Sequence, residues 1–506
     1  MSSLPATLPV SRGNFRWLAP SLCDLFFVAV IAWSFMTAGT GWGRLLWDGD
    51  TAIHTAIGEL ILDQGKLPSA DPFSFTMPGA AWSPWEWGSG VLFAELDRAF
   101  GIKAVAFLCG ILIAATITAL LRTMLASGAN MFIALMLALV SSNALSLHYH
   151  ARPHVFTLFA LAIAAWILTL DRAQPTRWIW LIPAMTALDA NLHPGFVMLI
   201  AYLGAIAVGT ALEWIAGTAS RAAAVRYTWL AGAGLLASLI NPWGVKLHLH
   251  ILSAFGDRGV TDLTQEWQAP TFRSAPQLYF LFFLLAGVAI AGALIGRKQF
   301  AEPLVILGLA FASLNSLRHS TVFVIAAAPI VARELSGIWQ AWVARQPRNS
   351  SARILEDLSE QRQASLNRST LWSLAAVAAI ALWTPASAWP SGFDPTMFPV
   401  EMTARHPELA TARVFTTDQW ADYLIYANYP RQKVFYDDRM FYGARMYRQV
   451  SDFLNGKAGS ALLFDEYRAD SVLIETDSPA AALLRSDPGW KISDQDSTSS
   501  LFVRAN

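Results

Sequence analysis

Apolar runs of about 20 residues recur along most of this chain, and a helix of that length is what a hydrocarbon core about 30 Å thick requires. They fall near residues 21 to 40, 101 to 121, 130 to 147, 154 to 171, 177 to 191, 195 to 215, 227 to 240, 276 to 296, 302 to 316, 318 to 337 and 371 to 389. Only helices and closed barrels satisfy their own backbone polar groups in lipid. The pattern therefore predicts an α-helical polytopic membrane protein of about eleven spans, the fifth, seventh and ninth being short. Composition agrees, with 55% apolar and 14% charged residues and a mean hydropathy of +0.40.

Lysine and arginine in short loops set orientation. Alternate connections carry Arg122, then Arg172 and Arg177, Arg221 and Arg226, Arg297 and Lys298, and a run from Arg333 to Arg368. These loops, including 338–369, are expected in the cytoplasm together with the N-terminus, where Arg12 and Arg16 precede an uncleaved first span. Residues 41–100, 241–275 and everything after about 390 are then outside. After residue 389 the apolar stretches shorten to strand length at 413–417, 433–437, 471–475 and 500–504, with helical patterns at 418–426, 442–454 and 459–467. That alternation predicts a membrane domain over 1–389 and a small periplasmic α/β domain over 390–506.

Several functions are disfavoured. The formal net charge is zero, so no basic surface points to nucleic acid, and no phosphate-cradling Walker A or dinucleotide fingerprint occurs. Cys23 and Cys109 lie in apolar runs and predict neither a disulfide nor a cysteine metal site. A transporter would place its critical charges at mid-span, and the spans here are nearly free of them.

The chemistry-bearing residues gather in the first outer loop. Asp48, Asp50 and His54 follow the first span, and Ile53, Ile57, Leu60 and Ile61 give 51–64 the period of an amphipathic helix suited to the outer leaflet. Asp50 either shares a polar face with His54 or caps the helix. Further on, Glu86 sits within Trp85-Glu86-Trp87, where a carboxylate has a raised pKa or binds a cation. Basic groups at span ends are phosphate candidates: Arg152, within His148-Tyr-His150-Ala-Arg152-Pro-His154, then His193, and Arg318 with His319. The histidine run is also a metal option, although His148 and His150 face apart on a strand and lie about 200° apart on a helix. Loop 241–275 adds Lys246, His248, His250, Asp262, Glu266 and Arg273, and Asp437, Asp438 and Arg439 end an expected strand.

Asp48-x-Asp50-x-x-x-His54-x-x-x-Gly58, Leu67-Pro-x-x-Asp-Pro-Phe-Ser-Phe-Thr76 and Trp85-Glu86-Trp87 together resemble the first outer loop of bacterial polytopic proteins related to the GT-C glycosyltransferases. Arg152-Pro153, Asn191-Leu-His193, Asn241-Pro-Trp-Gly244, Glu266-Trp267 and Val434-Phe-Tyr-Asp437-x-Arg439 extend the likeness over most of the chain. The resemblance implies a membrane enzyme that moves a sugar from a polyprenyl-phosphate lipid to a glycan, lipid or protein acceptor at the outer face. An acidic residue of the first loop serves as base, and the matching position is Asp50. Relatives that act on protein often carry an adjacent acidic pair, whereas Gly49 separates these aspartates, so protein O-mannosylation is less favoured. Trp420-Ala-Asp-Tyr423 is similar to an oligosaccharyltransferase motif but has alanine in its second position, and it is read as coincidence.

On chemical grounds, displacement at an anomeric carbon needs a base for the acceptor hydroxyl and a cationic partner for the departing phosphate. Asp50, Asp48, His54 and Glu86 are the expected catalytic group. Arg152, Arg318, His319, His193 and Arg273 are expected on the donor phosphate, and Glu266, Asp437 and Arg439 on the acceptor side. No cofactor is fixed by these residues, and a divalent cation stays open. A lipid-linked glycan ligase or polymerase, and a non-enzymatic envelope transporter or scaffold, are the alternatives.

Overall fold

A computed structural model describes residues 19–36, 41–256, 265–366, 370–439 and 441–505. Arg12, Arg16, Asp262 and Arg368 lie outside the described residues. Among those residues six helices are long and apolar enough to cross a membrane: Lys103–Ala126, Met131–His148, His154–Ala173, Phe196–Ile215, Ala275–Gly296 and Leu317–Val343. Leu22–Met36, Ala301–Asn315 and Trp372–Trp383 are shorter apolar helices. Helices Leu181–Leu192, Arg221–Ala237 and Ala301–Asn315 stand at the fifth, seventh and ninth expected positions, while Trp372–Trp383, at the last expected position and not expected to be short, has only 12 residues.

Polar side chains fasten the bundle at its ends. Asp24 accepts hydrogen bonds from Thr370 (2.6 Å) and Ser373 (2.7 Å), which ties the first apolar helix to the last. Glu356 on the Ser351–Leu366 helix accepts from Asn130 (2.6 Å), Trp339 (2.8 Å) and Gln340 (2.9 Å). Asn130 in turn caps the Met131–Leu145 helix through the N–H groups of Phe132 and Ile133.

The expected amphipathic helix spans Asp50–Gln64 and ends at Gly65, whose φ of 62° suits a residue without Cβ. It does not lie on a leaflet. Thr51, Ala52, Thr55, Ala56 and Gly58 are buried along with the isoleucines, because the helix is enclosed by Trp87–Phe100 on one side and Asp418–Ala427 on another. A Cβ on Gly58 would stand 1.9 Å from the Gly90 carbonyl oxygen, so two backbones touch there.

The C-terminal part contains a sheet of order β1-β2-β4-β3, with β1 (Val414–Phe415), β2 (Ser471–Glu475), β3 (Trp490–Gln495) and β4 (Ser499–Arg504). The β1–β2 pair is parallel and the others are antiparallel. Phe415, Phe435, Phe453, Phe464, Trp490 and Phe502 form its own apolar core. The stretch expected as a strand at 433–437 is instead reduced to bridges made by Val434, which joins Ser74 on one side and Val414 on the other. This single residue stitches the 71–82 segment to the sheet through Val434 N–H to Phe73 O (2.9 Å) and Phe75 N–H to Val434 O (3.0 Å).

Gly58→Val is expected to destabilise the protein by at least about 1–3 kcal/mol, the usual range for overpacking, because it must separate two backbones. Thermal unfolding of the detergent-purified variant, compared with wild type, checks this.

Candidate functional site

The Asp48-Gly49-Asp50 turn is shaped by what presses on it. Gly49 N–H donates to Gln419 Oε1 (2.6 Å), and a Cβ on Gly49 would meet the Gln419 carbonyl oxygen at 2.6 Å. The glycine between the aspartates is thus required by the neighbouring helix. Asp48 Oδ1 accepts from the Asp50 N–H (3.0 Å), so Asp48 braces the helix start, while Asp50 is the first helical residue and makes no capping bond.

Arg152 sits among carboxylates. Its Nη1 donates to Asp48 Oδ2 (3.0 Å) and Glu266 Oε1 (2.7 Å), and its Nη2 contacts Asp50 Oδ2. Burial favours the neutral acid at Asp50, but the Arg152 guanidinium outweighs it and holds the carboxyl well below its usual range. Burial likewise opposes ionisation of Glu266, and Arg152 followed by Arg318 brings its pKa down. Asp48 is raised, burial being the larger influence.

Beyond Asp50 the helix presents His54, whose Nε2 lies 2.9 Å from Glu86 Oε2. Glu86 Oε1 is 3.9 Å from His193 Nε2. The Gly195 N–H donates to His193 Nδ1 (3.0 Å), which leaves the Nε2 proton of a neutral His193 facing Glu86. Burial disfavours protonated His54, yet Glu86 more than compensates and raises its pKa above the usual 6.5. The same partnership lowers that of Glu86 against burial, opposite to the raised value expected from its tryptophan neighbours. Arg318 lies 3.9 Å from Glu266 Oε2 and over the Trp267 ring at 5.4 Å, and its side chain keeps 29% exposure. His319 follows it, with its ring 6.4 Å from that of Trp267.

Two expected groups behave differently. Asp437 and Arg439 are sequestered: Arg439 pairs with Asp437 (2.6 Å) and Asp71 (2.7 Å), and its guanidinium stacks near Phe73, Trp82 and Phe441. Arg273 is exposed, and among the described residues no hydrogen bond or ion pair joins it to the cluster. The His148–His154 run does not converge on a metal position either, since His154 Nε2 turns to the His148 carbonyl at 2.9 Å. Among the described residues the one group of three His, Cys, Asp or Glu ligand atoms lying within 4.8 Å of one another is Asp50, Asp422 and Asp438.

Asp422 and Asp438 were not singled out as site residues from the sequence. Asp422 belongs to Trp420-Ala-Asp-Tyr423, the tetrapeptide read as coincidence, and that was the available signal. Asp438 adjoins the expected Asp437, one residue out of register.

The fold of the described residues, a helical bundle with a small C-terminal sheet, is similar to that of two solved archaeal structures. The oligosaccharyltransferase of Archaeoglobus fulgidus, tethered to an acceptor peptide, overlaps with a TM-score of 0.60 at 12% identity, covering 97% of this chain and 74% of that one. Archaeal oligosaccharyltransferase AglB from the same organism, in complex with an inhibitory peptide and a dolichol-phosphate, overlaps at 0.57 and 13% identity over 98% and 75%. At such identities the likeness is one of fold. No family model and no curated protein matches the chain.

Arg152→Ala is expected to cost about 3–5 kcal/mol, the penalty for stranding buried charge, and to be seen as a lowered melting temperature. The His54 pair gives a signed pH dependence. A raised folded-state pKa stabilises fully below the usual 6.5 and is lost as pH climbs through the raised value. The melting-temperature gap between wild type and His54→Gln is therefore expected to be widest near about pH 6 and to shrink towards about pH 9.

Proposed function

We propose that the protein transfers a sugar from a polyprenyl-phosphate lipid to an envelope acceptor at the outer face of a bacterial inner membrane. In this reading the N-terminus is cytoplasmic, residues 1–389 form the membrane domain and residues 390–506 a small α/β domain outside. The observation that carries it is Asp50, buried at 6% exposure with one oxygen held by Arg152 and the other, Oδ1, without a partner, on a fold used by lipid-linked glycan transferases.

Asp50 is the carboxylate that takes the hydrogen of the acceptor hydroxyl as the anomeric bond forms. Its lowered basicity suits a proton transferred late, once the attacking oxygen has become acidic. Asp48 holds the turn, and Glu86 with His54 and His193 fixes the helix behind it. Arg152 is fully engaged by carboxylates, so the role expected of it on the donor phosphate passes to Arg318, which has a long contact to Glu266, lies over Trp267 and keeps 29% exposure. Glu266 sets the distance between the two arginines, and His319 lies beside the phosphate position. The isoprenoid tail fits an apolar groove of 680 Å³ lined by Trp87, Gly88, Val91, Leu188 and Ile240, next to Glu86 in the chain. The dolichol-phosphate bound to AglB supports a lipid-phosphate donor class.

The test is reconstitution into liposomes with a mixed polyprenyl-phosphate-sugar extract and envelope acceptors, followed by mass spectrometry of the donors. Wild type is expected to consume one donor, Asp50→Asn to be slower by about 100- to 10,000-fold, and Arg318→Ala to need more donor. A folded wild type that consumes no donor overturns the reading.

A further inference from the structure

We propose that Asp50, Asp422 and Asp438 form a divalent-cation site that joins the start of the Asp50–Gln64 helix to the C-terminal part of the chain. The site goes beyond glycosyl transfer, and binding is read without turnover, so either proposal can fail alone.

One oxygen from each carboxylate lies within 4.8 Å of the other two. Oxygen ligands about 2.3–2.6 Å from a cation of calcium type stand up to about 5 Å apart, so the spacing fits a metal held by hard oxygen donors. The second observation is the state of those oxygens. Asp422 is 0% exposed, and among the described residues neither its Oδ1 nor its Oδ2 has a hydrogen-bond partner, nor does the buried Asp50 Oδ1. Of the nearby arginines, Arg152 is shared among Asp48, Asp50 Oδ2 and Glu266, and Arg439 pairs with Asp71 and Asp437, its Nη1 having no hydrogen-bond partner among the described residues.

Such a group cannot stay fully ionised without a counter-charge. Burial, and then the neighbouring carboxylates, push Asp438 and Asp422 far above the usual carboxylate range. A proton is the competing solution. Protons on Asp438 and Asp422 remove the charge but leave the Asp422 oxygens without a hydrogen-bond partner among the described residues, whereas a cation serves all three carboxylates. Asp418, close enough to feel Asp48 and Asp50, adds to the negative field without entering the group.

The experiment uses the full chain in nanodiscs, stripped with EDTA and titrated with Mn²⁺ by electron paramagnetic resonance and by thermal unfolding. Stoichiometric binding is expected, with a rise in melting temperature that is displaced by Ca²⁺ or Mg²⁺ and weakened as the pH falls and protons compete. Asp422→Asn and Asp438→Asn are expected to abolish the rise, and Asp63→Asn, in an exposed ion pair, to keep it. The metal-free Asp422→Asn protein is expected to melt no lower than metal-free wild type, since it loses a buried carboxyl group whose oxygens have no partner among the described residues. Should Asp422→Asn fail to fold, Asp438→Asn and the pH dependence of wild-type binding decide. No Mn²⁺ bound to folded wild type, or binding undiminished in both variants, overturns the site.

Discussion

The guanidinium of Arg152 is the interaction on which the arrangement depends. It reaches Asp48 and Asp50 from the first acidic turn and Glu266 from a turn more than a hundred residues later. A planar fork with several fixed donors can do this where a lysine, a single point of charge, cannot. Ion pairs removed from water add little net stability, since desolvation offsets their attraction. What the contact supplies is position: it engages one oxygen of Asp50, a carboxylate that also stands near Asp422 and Asp438.

A second guanidinium plays a parallel part a short distance away. Arg439 bridges Asp71 and Asp437 within a ring of Phe73, Trp82 and Phe441, and Val434 adds backbone bonds to the same segment. The 71–82 segment thus belongs structurally with the sheet. Between these two anchors the Asp50–Gln64 helix is enclosed by helices that come from opposite ends of the chain.

Much of the bundle was legible because lipid imposes a length on apolar runs, although the last apolar helix, Trp372–Trp383, is shorter than the run expected for it. The acidic turn, His54 with Glu86, and Glu266 were legible from residue type and place. Pairing between distant segments was not. The leaflet position expected for the Asp50–Gln64 helix fails because its second face is covered by small residues, Ala52, Ala56 and Gly58, that look neutral in sequence but permit close packing. β3 escaped notice because most of its side chains are exposed and a bulge near Ile492 interrupts its alternation. The expected strand at 433–437 is apolar for a different reason: Val434 and Phe435 are buried between two segments. Asp422 was missed because carboxylates converge in space with no spacing rule along the chain.

Gly49 carries a consequence for how the protein is made. Its N–H is bonded to Gln419, and the space beside it is filled by that residue's backbone, so the turn that holds Asp48 and Asp50 is closed by a helix synthesised some 370 residues later. Ribosome and insertion machinery therefore handle an acidic turn whose cover does not yet exist, while helix after helix enters the bilayer. Closure of the turn is a late event in biogenesis, set by arrival of the Asp418–Ala427 helix, and a chain halted before that point has its apolar helices but an open acidic turn.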